Sequence, residues 1–312
     1  MAVVIPSFNG MPYLPEAVQS ILDQTFRDFR LYIVDDGSQD GSPAFARSVA
    51  DPRATAMSVA HGGYSRLMNA VVPGLREPLV AVLHQDDVAL PERLERQTDL
   101  LERRPEYDAV FCQLELIGAD GRRLGFRSVG SGADAEDYDP GRYGSLVHTG
   151  ACFRRDRFVA LGGYRTELYP AADYDLLLRM AEQGRVAVIN RPLVRYRYHA
   201  GANTYKVFRR MALMGRYVRH LHDLRSAGRP EISLEAYRAS REHSLPVRWR
   251  NYRTETGRYC YRRAAALAGS GRYARGGAFL AAAALCIPLT VAGTLGAYLR
   301  RPGTGQDSRR IS

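Results

Sequence analysis

Two pairs of adjacent aspartates each follow an apolar run that is typical of a buried strand. Asp35 and Asp36 come directly after residues 31–34, and Asp86 and Asp87 follow residues 79–83. Both pairs are therefore predicted to lie where a strand ends, and in open α/β sheets that end is where ligands bind. Adjacent carboxylates there suit a divalent cation with a polyanionic partner, and a nucleoside diphosphate fits this chemistry best.

A third acidic group lies at the start of a predicted helix. Asp175 and Arg179 are four residues apart, a spacing that lets the two side chains pair on a helix. Asp173 is then the freer carboxylate, and we interpret it as a candidate general base. A carboxylate with an ordinary pKa of about 4 is ionised at neutral pH and ready to accept a proton.

The elements that must position these acids alternate between strand and helix. Residues 2–5 predict a short strand that ends before Pro6, residues 18–22 carry the apolar spacing of a helix, and residues 29–34 predict the next strand. This alternation is typical of a parallel βαβ unit. Further strands are predicted at residues 109–117 and 186–189, and residues 130–144 predict a loop over the site.

Four short stretches then occur in a recognisable order. They are VVIPSFN at residues 3–9; QSILDQT at 19–25 with VDDGS at 34–38; LHQDD at 83–87 with Pro91; and DYDL at 173–176 with Arg179 and YRYH at 196–199. In this order they resemble the inverting, nucleotide-sugar-dependent glycosyltransferases of family 2, over about residues 2–203. The resemblance implies the GT-A fold, an α/β architecture with a Rossmann-like, mostly parallel sheet flanked by helices.

The resemblance also implies which residues bind the donor. In the family, the first loop and the acid after the second strand hold the base and ribose, so Pro6, Ser7 and Asp36 carry over, with Asp35 beside them. A carboxylate at this place can accept a hydrogen bond from the imide N–H of uracil or thymine. Asn69 matches a family asparagine near the donor, although the usual preceding arginine is Met68 in this chain.

The family's metal motif is Asp-x-Asp, and the matching stretch here is His84-Gln85-Asp86. His84 replaces the first acid, which puts the ribose contact in doubt more than the metal, and we interpret His84 and Gln85 as donor-binding residues. The resemblance implies Asp86 as the main ligand, with Asp87 able to share the role, for Mn²⁺ or Mg²⁺. Asp173 matches the catalytic base, which would make the transfer inverting. The glutamate that often precedes this base in the family is Ala172 here.

Each of these residues also has a purely structural interpretation. Asp35 and Asp36 could form a strand-to-turn connection, and Asp86 and Asp87 could cap a helix that begins near Pro91. Asp173 could likewise be a helix cap. For His199 the structural interpretation, a hydrogen-bonded histidine without a catalytic role, is the favoured one.

The composition limits the classes of protein to which this chain can belong. The chain has 312 residues, 46% hydrophobic and 25% charged, enough for one α/β core with an appendage. Its formal net charge of +11 permits attraction to nucleic acid, anionic lipid or a phosphorylated substrate. Four widely spaced cysteines without a CxxC pair favour a reducing compartment, and no secretory signal opens the sequence. We therefore expect a cytoplasmic protein, whose native chain could begin upstream of Met1.

The sequence predicts two regions. Residues 1–205 are interpreted as the catalytic domain, with a donor-binding half at about 1–118 and an acceptor and base half at about 119–205; residues 206–312 form a basic, α-helical C-terminal region. A helix over 207–221 has an apolar stripe with arginines off it, and either packs on the catalytic domain or contacts anionic headgroups. Residues 276–299 carry no charge and are long enough for one membrane span, although a helical hairpin with residues 259–268 is favoured.

These observations favour a metal-dependent inverting glycosyltransferase. It would move a sugar from a nucleoside diphosphate, most simply UDP or TDP, to a hydroxyl of a glycan or lipid-linked glycan in polysaccharide biosynthesis. We expect a peripheral location at the inner face of the cell membrane and no nucleic-acid partner. Two rivals stay open: a nucleotidyltransferase on a related fold, and a non-catalytic, basic nucleic-acid-binding protein.

Overall fold

The computed structural model of the chain describes residues 1–127, 134–199, 201–202, 207–241, 244–269 and 272–288. The chain divides into two units, Met1–Leu234 and Glu235–Ser312. The predicted boundary after residue 205 therefore falls within the first unit. The helix Phe208–Ser226 belongs there because its buried face, with Met214, Val218 and Leu221, packs on the helix Ala172–Gln183.

Ten strands form one mixed sheet in the described part of the first unit. They are β1 (Ala2–Ser7), β2 (Arg30–Asp35), β3 (Ala54–Ser58), β4 (Leu79–Val82), β5 (Val88–Ala89), β6 (Tyr107–Gly118), β7 (Arg123–Arg127), β8 (Ala135–Asp137), β9 (Cys152–Arg154) and β10 (Arg185–Tyr198). The strand order is β3-β2-β1-β4-β9-β6-β10-β5, with β7 paired to β6 and β8 paired to β10.

Strands β3, β2, β1 and β4 pair in parallel, as do β6 and β10 elsewhere in the sheet. β1 and β4 are almost wholly buried, which explains their unbroken apolar runs. The register pairs Ser7 with Asp35. The ends of β1, β2 and β4 consequently lie at the same edge of the sheet. Ser7 and Asp35 are the last residues of β1 and β2, Asp36 follows directly, and the loop after β4 carries Asp86 and Asp87.

The helices flank this sheet. In the first unit they are α1 (Leu14–Leu22), α2 (Ser42–Ser48), α3 (Tyr64–Val71), α4 (Arg93–Arg103), α5 (Pro140–Tyr143), α6 (Arg155–Ala160), α7 (Ala172–Gln183) and α8 (Phe208–Ser226). The α/β fold class predicted from the sequence is confirmed. Helix α4 is preceded by Glu92 as its N-cap residue, so Asp86 and Asp87 do not cap it. They lie in the loop between β4 and β5 instead.

Two sequence predictions differ in extent from the structure. The strand predicted at 186–189 is the beginning of β10, which continues to Tyr198 through a register shift at Pro192. Of the predicted loop at 130–144, residues 130–133 lie outside the described residues, and the rest contains β8 and α5. These two elements form because β8 pairs with β10 and because Asp139 caps the short helix through the N–H of Gly141.

The C-terminal unit is helical. Helix α9 (Leu234–Arg241) leads into it, and α10 (Leu245–Gly269) and α11 (Tyr273–Cys286) pack together as the predicted hairpin around Cys260 and Ala283. Among the described residues, no helix combines the length and the hydropathy that a membrane span requires. Residues 289–299 of the predicted span lie outside the described residues.

Candidate active site

The second aspartate pair forms a small cluster with a histidine. One ligand atom each from His84, Asp86 and Asp87 lies within 4.8 Å of the others. The side chain of Asp86 is 24% exposed, whereas that of Asp87 is fully buried behind it. The cluster therefore contains one carboxylate that is partly accessible to solvent, that of Asp86, and one that is buried, that of Asp87.

The two carboxylate oxygens of Asp87 make different contacts. Its Oδ1 accepts a hydrogen bond from the backbone N–H of Arg197 at 2.9 Å. Its Oδ2 is buried and, within the described residues, has no hydrogen-bond partner. Burial and then the charge of Asp86 raise the pKa of Asp87. A buried carboxylate oxygen without a partner, beside a second carboxylate and an imidazole, matches the oxygen-rich donor set that Mg²⁺ or Mn²⁺ prefers.

Asp86 is paired with His199. The Nε2 atom of His199 lies 2.9 Å from Oδ2 of Asp86, and the His199 ring packs against Tyr13 at 4.8 Å between centroids. Burial by itself would raise the pKa of Asp86, but the hydrogen bond from His199 and the neighbouring imidazoles bring it below its ordinary value. Asp86 is therefore ionised at neutral pH. His199 is thus a hydrogen-bonded histidine, as its structural interpretation has it, and its partner is the partly exposed acid of the cluster.

Arg197 hydrogen-bonds to the loop that carries Asp86 and Asp87. The sequence pattern alone does not predict this role. Its Nε donates to the main-chain oxygen of Asp86 at 2.8 Å, and its Nη2 donates to Glu16 in α1 at 2.5 Å. Nη1 donates to the main-chain oxygens of Gly118 and Ala119. The arginine in YRYH was visible in the sequence, but only tertiary contacts reveal what it binds.

The first loop is shaped by Gln85. Its side-chain amide makes two hydrogen bonds to the backbone of Phe8, at 2.7 and 3.1 Å. The loop passes so close that a Cβ on Gly10 would lie 2.7 Å from Oε1 of Gln85. Gln85 therefore sets the position of the first loop. Pro6 continues the β1 pairing with Val34, and the Oγ of Ser7 is buried with no hydrogen-bond partner in the described part of the chain.

The two residues of the first aspartate pair, Asp35 and Asp36, accept hydrogen bonds from different segments of the chain. Oδ2 of Asp35 accepts from the N–H groups of Gly37 and Ser38, the turn-forming role expected of an aspartate, while its buried Oδ1 has no partner within the described residues. The two carboxylate oxygens of Asp36 accept from Gly62 and Gly63, each at 2.9 Å. Asp36 thus positions the loop before α3 and keeps further lone pairs for a ligand.

An exposed aromatic pair lies beside Asp36. The ring of Phe8 stacks on His61 with centroids 4.4 Å apart, and Nδ1 of His61 lies 2.8 Å from the main-chain oxygen of Asp36. Phe8 is 43% exposed although it is large and apolar. Neither residue was selected from the sequence. The sequence contained one indication of this pair, because Phe8 is a large apolar residue between the polar residues Ser7 and Asn9.

Asn69 has a structural role in this arrangement. Its amide nitrogen donates to the main-chain oxygen of Tyr164 at 2.8 Å, and its amide oxygen accepts from the Tyr164 N–H at 2.9 Å. The Tyr164 hydroxyl contacts Nε2 of buried His148 and lies 3.2 Å from the hydroxyl of Tyr64. The Tyr64 ring in turn meets His84 edge-on at 5.7 Å. Asn69 therefore supports the aromatic side chains that pack against His84 of the cluster.

Asp173 lies in the first turn of α7. Its Oδ1 accepts the N–H of Tyr174 at 2.8 Å. Burial raises the pKa of Asp173 to about 6. Burial and, in smaller part, the charge of Asp173 also raise the pKa of Tyr64. A carboxylate with this pKa is a stronger base than an ordinary one and is still mostly ionised at neutral pH.

Asp175 belongs to the core. Its side chain is fully buried, with Arg179 at 2.7 Å as the sequence predicted and Arg165 at 2.5 Å. Both of its carboxylate oxygens accept from guanidinium groups. Asp175, the second aspartate of the DYDL stretch, is therefore paired with two arginines. Asp173 has no arginine partner among the described residues.

The sequence model of the family described as "Glycosyl transferase family 2" matches residues 2–161. The chain belongs to glycosyl transferase family 2. The match ends before Asp173, Arg197 and His199, so it covers both aspartate pairs but not these three residues. Family membership and the alternation of strands and helices agree with the resemblance seen in the four motifs.

Curated relatives in the family are distant. An uncharacterised glycosyltransferase of Rickettsia prowazekii (strain Madrid E) is 26% identical over 209 residues, which are 65% of this chain and 65% of that protein. One from Haemophilus influenzae is 22% identical over 207 residues, covering 64% of this chain and 68% of that protein. The match to the first of these relatives thus spans just under two thirds of its length.

Solved structures show that the fold is shared. TarS residues 1–349 of S. aureus, crystallised with UDP-GlcNAc, has a TM-score of 0.57 at 14% identity, covering 91% of this chain and 90% of that one. The mannosyltransferase PcManGT of Pyrobaculum calidifontis, in complex with GDP-Man and Mn²⁺, has a TM-score of 0.53 at 18% identity, covering 96% and 79%. The predicted GT-A architecture of this family 2 chain is confirmed.

Proposed function

We propose that this protein is a metal-dependent, inverting glycosyltransferase that uses a nucleoside-diphosphate sugar. The observation that carries the proposal is the cluster of His84, Asp86 and Asp87 at the end of the parallel strands. A partly exposed, ionised acid lies there beside a buried carboxylate whose Oδ2 has no hydrogen-bond partner among the described residues and is 3.8 Å from Nδ1 of His84. Neighbours of the same fold have been crystallised with UDP-GlcNAc and with GDP-Man and Mn²⁺, which supports a nucleotide-sugar donor.

The donor nucleoside would bind at the first loop. Asp35 and Asp36 offer carboxylate oxygens next to Ser7, whose hydroxyl is buried without a partner among the described residues. An imide N–H, as in uracil or thymine, is the complementary donor, so UDP or TDP is the proposed nucleotide. The stacked rings of Phe8 and His61 give this end of the site a flat apolar surface.

Asp86 and Asp87, with His84 beside them, would hold Mn²⁺ or Mg²⁺. When bound, such an ion offsets the negative charge that develops on the departing diphosphate. Asp86 would provide the accessible carboxylate, and His199 and Arg197 would keep it oriented through its side chain and its main-chain oxygen. Substitution of His199 or of Arg197 should make the position of Asp86 less fixed while keeping both carboxylates of the cluster.

Asp173 would act as the general base. It accepts the proton of an acceptor hydroxyl while that oxygen attacks the anomeric carbon, and the bond from that carbon to the diphosphate oxygen breaks. Attack from the face opposite the leaving group inverts the anomeric configuration. The pKa of about 6 that burial gives Asp173 matches this task near neutral pH.

The acceptor is proposed to be a hydroxyl of a glycan or lipid-linked glycan, used in polysaccharide biosynthesis at the cytoplasmic face of the membrane. The arginine-rich C-terminal region supports contact with an anionic surface, since 14 arginines and four acids lie between Glu235 and Ser312. The protein would then meet its acceptor at the surface where lipid-linked substrates are located.

A thermal-shift panel tests the donor chemistry. UDP, TDP, GDP and CDP are each added with Mn²⁺ and with EDTA. A ligand at 100 times its Kd stabilises the folded state by about 2.7 kcal/mol, a readily measured shift. We expect a Mn²⁺-dependent shift with UDP or TDP. A folded sample that responds to none of the four nucleotides would contradict the proposal.

A further inference from the structure

The first turns of α10 carry large apolar side chains on their surface. Leu245, Trp249 and Tyr252 are 75%, 65% and 46% exposed. They are spaced at i, i+4 and i+7, which places them on one face of the helix. The rings of Trp249 and Tyr252 stack with centroids 5.9 Å apart. We call these three residues the apolar stripe of α10. A contiguous apolar surface of this kind marks an interaction site.

Positive charge borders the apolar stripe. Arg248 and Arg253 are exposed, and their positions on the helix place them on opposite sides of the stripe. Helix α10 contains six arginines and a single acid, Glu255. The complementary partner must therefore be both anionic and able to receive apolar groups.

Helix α11 adds an apolar surface to the same hairpin. Ala274, Ala278, Ala281 and Leu285 are exposed and recur at intervals of four, three and four residues, so they share one face. Arg275 is the one charged residue in the sequence of this helix. An aliphatic face of this kind gains nothing from a nucleic-acid backbone, whereas a lipid layer can take up its apolar groups.

We propose that the C-terminal hairpin binds an anionic membrane surface through the apolar stripe of α10. The aromatic rings lie at the level of the headgroups, where their mixed character is accommodated, and Leu245 reaches the acyl chains. Arg248 and Arg253 bind lipid phosphates while their aliphatic parts cover apolar surface. The inference rests on the membrane-side acceptor proposed above but uses none of the residues assigned to the catalytic centre.

The chain contains its own reporter of this contact, because Trp249 is the only tryptophan in the sequence. The full-length protein is mixed with vesicles of phosphatidylcholine alone or with phosphatidylglycerol added. We expect tryptophan emission to move to shorter wavelength, and iodide quenching to fall, with the anionic vesicles only. High salt should reverse the change, because the Debye length shrinks to about 3 Å at 1 M. Unchanged emission, or an equal response to both vesicles, would overturn the proposal.

Paired variants separate this surface from general positive charge. R248Q/R253Q should bind anionic vesicles roughly 30-fold more weakly, the effect expected for two arginines near such a surface. The matched control is R47Q/R76Q, which removes the same charge from exposed arginines of the first unit and should bind as the wild type does. Equal weakening by the two pairs would contradict a specific face on α10.

Two further measurements complete the test. L245S/Y252S should lose vesicle binding in a flotation assay and leave Trp249 in place as the reporter. A single-stranded RNA competitor tests the nucleic-acid alternative, and RNA binding that needs the same arginines without any vesicle binding would replace our proposal. The nucleotide thermal shift with Mn²⁺ is measured for every variant. A normal nucleotide shift with no vesicle binding would refute the membrane contact alone, and the reverse result would refute the donor chemistry alone.

Discussion

Arg197 donates a hydrogen bond from its Nε to the main-chain oxygen of Asp86 at 2.8 Å, although 111 residues separate the two along the chain. The same guanidinium reaches Glu16, and the backbone N–H of Arg197 donates to Asp87. The end of β10 thus fixes both residues of the acidic pair. His199, two residues further on, contacts the Asp86 carboxylate directly. The second half of the fold therefore sets the geometry of an acidic loop that belongs to the first half.

Arg197→Gln should weaken metal binding more than nucleotide recognition. The planar guanidinium donates to three elements at once, a geometry that glutamine cannot reproduce. Loss of a residue that orients metal ligands typically reduces metal affinity by about 10- to 100-fold. The measurement is the half-saturating Mn²⁺ concentration of transfer, alongside the KM for the donor at saturating metal.

Arg195→Gln is the control for this variant, since Arg195 lies on the same strand and pairs with Glu115 at 2.9 Å. An Arg197→Gln enzyme with unchanged metal dependence and only a lower melting temperature would show that Arg197 is structural.

Asp86→Ala should abolish metal-dependent nucleotide binding. The partly exposed carboxylate is lost, and Asp87, whose side chain is fully buried, offers no solvent-exposed oxygen in its place. The UDP or TDP thermal shift should then be the same with Mn²⁺ and with EDTA. Asp99→Ala, which removes an exposed carboxylate paired with Arg103, serves as the control. A Mn²⁺-dependent shift that survives in Asp86→Ala would move the principal ligand to Asp87 or His84.

Asp173→Asn should reduce turnover by roughly 10²- to 10⁴-fold with little effect on donor affinity, because it removes the base and keeps the shape of the side chain. Single-turnover transfer and donor binding by calorimetry measure the two effects separately. The exposed Asp156→Asn is a matched control. Parallel losses of binding and turnover would argue against the role of Asp173 as base.

The pH dependence of turnover follows from the raised pKa of Asp173. Since the base must be ionised, kcat should be constant above the pKa and decline as the pH falls through about 6. The profile is recorded at saturating donor and metal. In Asp173→Asn the residual rate should lose this inflection, and an unchanged inflection would assign the titration to another group.

Asp175→Asn should destabilise the protein instead of changing its chemistry. Asp175 is completely buried between Arg165 and Arg179. Removal of one partner of a buried ion pair leaves uncompensated charge and costs about 3–5 kcal/mol. Chemical denaturation should show this loss, while the kcat of the folded fraction stays close to wild type. A normal free energy of unfolding combined with lost activity would place Asp175 in the catalytic machinery.

The α/β fold class and the acids at the sheet edge were predictable from local sequence patterns. The unbroken apolar runs of β1 and β4, and the Asp pairs at the ends of β2 and β4, predict that edge, because buried strands and their ends have characteristic residue patterns. The helical spacing of Asp175 and Arg179 likewise predicted their ion pair, which is a local contact on one helix.

The hydrogen-bond partners of the other polar side chains in the site became known only from the tertiary structure. Asn69 binds the backbone of Tyr164, Gln85 binds that of Phe8, and Arg197 and His199 reach Asp86 from the far end of the chain. These partners are 77 to 113 residues apart. Sequence spacing carries no information about such contacts, because they arise only when the mixed sheet brings β10 beside the loop that follows β4.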